Sequence, residues 1–153
     1  MQTWPGMGGC VGYVVTTDPA RIDVDAVHRY LSEDSYWAKN IPRDVVERSI
    51  AHSMCFAILH DDELAGFARI TSDHATVAYL GDVFVLPAHR GKGLSKWLME
   101  CILVHPQLQG LRRWMLATAD AHGLYEQFGF TPFKAPQRWM EKHDPDVYSR
   151  LKV

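Results

Sequence analysis

Gly91 and Gly93 stand in the stretch Leu80–Leu94, LGDVFVLPAHRGKGL, where an apolar strand pattern runs through a glycine turn into a helical pattern. Without a Cβ, both glycines let consecutive backbone N–H groups turn toward one point. The helix that follows brings unpaired N–H groups and the positive end of its dipole to the same point. Arg90 and Lys92 add positive charge. A loop built this way cradles a pyrophosphate; the plainer alternative is a tight solvated turn with two basic residues. The Gly-x-x-x-x-Gly-Lys-Ser/Thr of a triphosphate loop is absent, as is the third glycine of the dinucleotide fingerprint. Upstream, Asp82 in a regular strand shares a face with Ala78, Leu80, Phe84 and Leu86. A carboxylate on an apolar face is costly unless it is paired or used. Pairing would come from an arginine such as Arg69 on the neighbouring strand.

A second pattern follows, Leu124-Tyr125-Glu126-Gln127-Phe128-Gly129-Phe130. The stretch from Gly81 to Phe130 resembles the GCN5-related N-acetyltransferases (GNAT). Their acetyl-CoA motif is Gln/Arg-x-x-Gly-x-Gly/Ala, and a further signature is Leu-Tyr-Glu-x-x-Gly-Phe. Here the first reads Arg90-Gly91-Lys92-Gly93-Leu94-Ser95, with Ser where the family has Gly or Ala. The two motifs match in order and spacing, and the resemblance covers most of residues 11–141. It implies the acyl-CoA N-acyltransferase fold, acetyl-CoA as cofactor with CoA as product, and N-acetyl transfer as the activity. It implies that the backbone of Phe84 and Val85 bonds the pantetheine arm. The N–H groups from Arg90 through Gly91, Lys92, Gly93 and Leu94 to Ser95 would hold the pyrophosphate. Serine is small, and its hydroxyl itself donates to phosphate. Seven residues before Tyr125 the family often has Asn; this chain has Thr118, so that pantetheine contact is weaker or different.

Acetyl transfer to an amine needs a neutral nitrogen, a stabilised oxyanion and a protonated leaving thiolate. Holding both reactants in one cleft supplies proximity. A strand-end N–H polarises the thioester carbonyl, and a nearby phenol protonates the thiolate. The resemblance gives that acid role to Tyr125; the alternative is an ordinary half-buried helix tyrosine. It gives Asp82 the work of a base, direct or through water, or of an anchor for the substrate ammonium. Tyr36 and Trp37 fall in the region that walls the acceptor site in this family, which makes them substrate-binding candidates; their alternative is core packing. Asp120 is expected to cap the helix carrying Tyr125. Glu33 and Glu47 read as exposed helix faces. The expected reaction is direct transfer in a ternary complex to a primary amine of a small molecule, or of a peptide. The rival from another class is a non-catalytic acyl-CoA sensor or interaction module, which keeps the cradle but needs neither Asp82 nor Tyr125.

The elements that position these residues follow from hydrophobic periodicity. Cys10–Thr16, Met54–Leu59, Leu64–Thr71, Ala75–Leu86 and Arg113–Thr118 read as strands, with Phe130–Phe133 and Arg138–Met140 as a final pair. His60–Glu63 is a hairpin turn. Asp23 caps a helix carrying Val24, Val27 and Leu31; Pro42 opens a second with Val45, Val46, Ser49 and Ile50 inward. Leu94, Trp97, Leu98, Cys101 and Ile102 mark a third, which Pro106 ends. Ala121, Leu124 and Phe128 face inward on a short fourth that Gly129 terminates. A short helix follows Asp144. The order predicts one α/β domain with a mixed, mostly antiparallel central sheet flanked by helices. Residues 1–10 read as a flexible leader and 11–153 as the domain.

Length and composition bound the rest. A chain of 153 residues is one domain, and its 47% hydrophobic and 22% charged content is that of a globular protein. A net charge of −2 offers no basic excess for a phosphate backbone, so nucleic acid is not an expected partner. No apolar run reaches the length of a membrane span. Three scattered cysteines suggest neither a disulfide framework nor a zinc knuckle. The eight histidines show no ligand spacing, so no metal is expected. A reducing, cytoplasmic setting fits this cysteine usage. An exposed strand edge or the C-terminal apolar residues could support a homodimer.

Overall fold

Cys55, Phe56, Ala57, Ile58 and Leu59 alternate between two buried clusters, one on each side of a sheet. Period-2 alternation with apolar residues on both faces makes this a strand covered from both sides. The computed structural model describes residues 1–151. Lys152 and Val153, the end of the expected domain, lie outside the described residues. The six strands are β1 (Thr3–Pro5), β2 (Tyr13–Thr16), β3 (Met54–His60), β4 (Glu63–Ser72), β5 (Val77–Val85) and β6 (Arg113–Leu116), in that order across the sheet. Neighbours from β1 to β5 are antiparallel; β6 runs parallel to β5. The mixed, mostly antiparallel sheet is therefore as the sequence predicts.

Helices α1 (Val24–Arg29) and α2 (Arg43–Ala51) cover one face, and α3 (Leu94–Leu103) covers the other. α4 (His122–Glu126) contributes Tyr125 to the buried cluster on the α3 side, and α5 (Val147–Leu151) ends the description. Asp23 caps α1 by accepting the Ala26 N–H at 3.0 Å. A wider π-helical turn, Tyr30–Asp34, prolongs α1. Leu98, Met99 and Ile102 of α3 are fully buried, each contributing about 1.5–3 kcal/mol from apolar burial.

The ends of the chain depart from expectation. Residues 1–10 are no loose leader: Thr3–Pro5 pair with Val14–Thr16, and Trp4 stacks on Phe56 at 6.0 Å. Cys10 is buried and its thiol donates to Lys92 O at 3.8 Å, so this segment backs the glycine turn. Phe130–Phe133 and Arg138–Met140 form no strand pair. Pro132 and Pro136 remove ladder donors there. Phe133 and Trp139 stack at 4.1 Å instead, with Arg113 over the Trp139 ring.

One irregularity decides the site. Phe67 pairs with Phe84 but Arg69 pairs with Gly81, so β5 carries an extra residue opposite β4. Asp82 in that bulge has φ +52°, a left-handed conformation that costs a non-glycine residue about 1–2 kcal/mol. Alternation is reset across it. Ala78 and Leu80 pack toward α3, but Phe84 packs toward α1 and α2. Asp82 therefore does not share one continuous face with all four apolar residues, because a bulge shifts the pleat by one.

Candidate active site

β5 and β6 pair only from Val77–Arg113 to Leu80–Leu116. Beyond that the two parallel strands separate, and one edge of β5 from Gly81 to Val85 faces a wedge. Leu86 donates its N–H to Ala65 O at 2.8 Å. Backbone groups alternate between the two edges of a strand, so Val85 turns its N–H to the wedge while Phe84 turns its own to β4. This corrects the pairing of Phe84 with Val85 as backbone ligands. Phe84 contributes its ring instead, stacked on Tyr30 at 4.0 Å.

The wedge leads to the glycine turn. Gly91 and Gly93 have φ +81° and +77°, and no atom stands within 4 Å of where a Cβ would be on either. The conformation demands glycine, and the space above it is open to a ligand. The first intrahelical bond of α3 runs from Trp97 N–H to Gly93 O at 3.1 Å. The N–H groups of Leu94, Ser95 and Lys96 therefore precede the helical ladder, at the dipole's positive end. Gly91, Lys92 and Gly93 are exposed and Ser95 is half-buried. The turn thus has the shape, donors and charge that an anionic pyrophosphate requires. Arg90 serves differently from the expectation that it adds charge to the cradle. Its guanidinium folds back, with Nε donating to Val85 O at 2.9 Å and Nη2 to the Tyr30 hydroxyl at 3.2 Å. It braces the turn, whereas the Lys92 side chain is exposed and has no hydrogen-bond partner among the described residues.

Tyr125 on α4 is buried. Burial first, then the Tyr36 phenol and the Asp120 carboxylate, push its phenol up to about 12. Such a phenol keeps its proton at neutral pH. Asp120 does not cap α4. The N-cap of α4 is Ala121, with no side-chain cap bond among the described residues, and Thr118 Oγ1 instead accepts the N–H of Asp120 at 3.4 Å and of Ala121 at 3.1 Å in the turn that leads into α4. Gly129, with φ +90°, ends this turn, and Phe130 N–H reaches back to Tyr125 O at 3.3 Å.

Across the wedge stand Tyr36 and Trp37, in the loop between α1 and α2. Ser35 is buried and fixes that loop, donating to Leu31 O at 2.6 Å and accepting the Ala38 N–H at 3.1 Å. Trp37 Nε1 donates to Asp82 Oδ1 at 2.9 Å, and Arg69 Nε donates to Asp82 Oδ2 at 2.8 Å. Arg69 Nη1 reaches Ser53 Oγ at 3.0 Å. Both oxygens of Asp82 are thus engaged, one of them in an ion pair. The Tyr36 and Trp37 rings meet edge to face at 5.0 Å and both remain exposed. Tyr36 Oη accepts the Ala119 N–H at 2.9 Å. Trp37 and Asp82 thus meet directly, while Tyr36 is bonded to the turn beside Thr118 and raises the Tyr125 pKa.

Three participants carry no motif. Tyr30 follows Val27 at helical spacing, which marks it as inward-facing but not as the prop of Arg90. Ala119 acts through its backbone alone. Tyr148 on α5 is half-buried against the cluster that holds Phe67 and Phe84, and burial, then the Asp82 carboxylate, raise its phenol's pKa.

The sequence matches the Acetyltransferase (GNAT) family over residues 24–130. A protein of Gibberella zeae named as an acetyltransferase is 33% identical over 135 residues, covering 74% of this chain and 75% of that one. A solved structure from Xanthomonas campestris pv. campestris, described as an acetyltransferase of the GNAT family, is 55% identical. It superposes with a TM-score of 0.88, over 90% of this chain and 96% of the other. An acetyltransferase from Clostridium acetobutylicum solved with acetyl-CoA shares the fold, with a TM-score of 0.60 at 15% identity, over 86% of this chain and 94% of that one.

Proposed function

This chain belongs to the GNAT acetyltransferase family, and from that premise we propose that it moves the acetyl group of acetyl-CoA directly to a primary amine of a small molecule. The observation that carries the reading is the wedge between β5 and β6. It opens onto the glycine turn, with the Tyr125-bearing α4 following β6 and the aromatic pair Tyr36–Trp37 bonded across it. Acetyl-CoA supplies a thioester, an acyl donor whose thiolate leaves readily.

The residues divide the remaining work. The N–H groups from Gly91 to Ser95 and the Lys92 ammonium hold the pyrophosphate. The Val85 N–H lies on the open edge as a donor for the pantetheine arm. Tyr125 holds a proton in a buried phenol and gives it to the departing thiolate. Asp82, already paired with Arg69 and Trp37, orients the Trp37 ring and the acceptor amine, and the amine's proton leaves through water. The exposed rings of Tyr36 and Trp37 fit an acceptor with a flat or apolar body better than a highly charged one. The three cysteines are free and buried, and we place the protein in the reducing cytoplasm.

The test is release of CoA thiol from acetyl-CoA against a panel of aromatic, aliphatic and amino-acid amines, with wild type and Tyr125→Phe. Turnover by the wild type that falls about 10²-fold in the variant supports the reading, provided CoA binding is kept. Binding of acetyl-CoA with no transfer to any amine would return the protein to the class of acyl-CoA-binding modules.

A further inference from the structure

We propose that Tyr36 is a positioning residue whose hydroxyl ties the acceptor-side loop to the turn that aims Tyr125, so that the two halves of the site hold one fixed separation. This rests on the acetyltransferase reading above. The two halves are far apart in sequence and belong to opposite walls of the wedge. The loop half is rigid at its base, where Ser35 and Ala38 are buried and bonded to each other. Its outer end is held at two points. Trp37 Nε1 is bonded to Asp82 on β5, and Tyr36 Oη to the Ala119 N–H beyond β6.

The turn half depends on that second bond. Thr118 Oγ1 takes the N–H groups of Asp120 and Ala121. The Ala119 N–H between them goes to Tyr36 alone among the described residues. All three N–H groups of the turn 119–121, which leads into α4, are thus directed, and one of the three acceptor bonds comes from across the cleft. α4 is only five residues long, too short to hold its own orientation without such ties. The Tyr36 ring is 59% exposed, so little packing holds it, and the hydroxyl bond sets where it stands. Losing the bond leaves Tyr125 present but less well aimed, and catalysis is sensitive to displacements of about 1 Å.

Tyr36→Phe keeps the ring and removes only the acceptor. Amide exchange at Ala119 is read by NMR, and CoA thiol release from acetyl-CoA is measured with the best amine the wild type accepts. The expected result is Ala119 exchange faster by about tenfold and kcat lower by about tenfold, with KM for acetyl-CoA within about twofold. Trp37→Phe, which removes the Asp82 bond instead, leaves Ala119 protected. A merely structural role would lower the melting temperature and raise KM together. Unchanged Ala119 exchange in Tyr36→Phe, or freed exchange with unchanged kcat, overturns the proposal, as does equal deprotection by Trp37→Phe. A wild type that turns over no amine contradicts the acetyltransferase reading, while the exchange measurement still decides the tie.

Discussion

At the scale of the residue, Tyr125 and Asp82 show how differently two candidates translate from sequence to chemistry. Tyr125 was legible because its motif fixes both the helix and the glycine that ends it. The structure adds that its phenol is buried and pushed up to about 12 by that burial, then by Tyr36 and Asp120. A raised pKa keeps the proton on the phenol, so in the proposed acid role ionisation of Tyr125 does not limit the rate in the neutral or mildly alkaline range. Thiol release should rise with pH as the acceptor amine loses its proton and then stay level through about pH 10. A fall setting in near pH 8 would place a different group in the acid role. Asp82 was legible as an anomaly, a charge in an apolar run, but not as a bulge. Which strand holds the extra residue depends on register against β4, and no pattern within β5 reveals it. The paired reading with Arg69 describes its geometry, and in the proposed mechanism the paired carboxylate orients Trp37 and the acceptor amine.

At the scale of the element, the site depends on how short segments begin and end. The start of α3 follows from its glycines, since only a residue tolerant of φ near +80° stands easily at Gly91 and Gly93. The turn into α4 did not follow: Asp120 has a good capping side chain by type, yet α4 starts from Ala121 without a side-chain cap, and Thr118 Oγ1 takes two N–H groups of the turn before it. Thr118→Val removes the hydroxyl without changing the shape. Loss of these turn hydrogen bonds should cost about 1 kcal/mol and lower kcat more than it weakens acetyl-CoA binding, read by thermal melts and thiol release. Stability and kcat both unchanged would show that the turn does not depend on the Thr118 hydroxyl. Phe130–Phe133 and Arg138–Met140 looked like a strand pair because aromatic residues favour the sheet, but Pro132, Pro136 and the Phe133–Trp139 stack decided otherwise. Thr3–Pro5 looked loose because three residues give no period to read, and its strand exists only through its pairing with β2.

At the scale of the whole molecule, the two-faced sheet was legible and its stability carries a pH signature. Burial, the leading cause for both, pushes the thiols of Cys55 and Cys101 from 9.0 up to about 12, and that of Cys10 rises as well, again chiefly by burial. A raised pKa means that the unfolded chain loses these protons first. The stabilisation is complete below about pH 9 and is lost between pH 9 and 12, by at most about 4 kcal/mol per thiol. Denaturant midpoints should therefore fall steeply from pH 9 upward, and less steeply in Cys55→Ala. Equal slopes in both proteins would remove the thiol from the account. The same sheet sets function, because β6 pairs with β5 for four residues and then leaves it, and the wedge so formed ends at the glycine turn. The most direct test of that claim is calorimetric titration of the folded protein with acetyl-CoA, beside Gly93→Asp. The account predicts micromolar binding by the wild type, about −8 kcal/mol, and none by a variant that is still folded. A folded wild type that binds no acetyl-CoA, or a Gly93→Asp protein that binds it equally well, would contradict it.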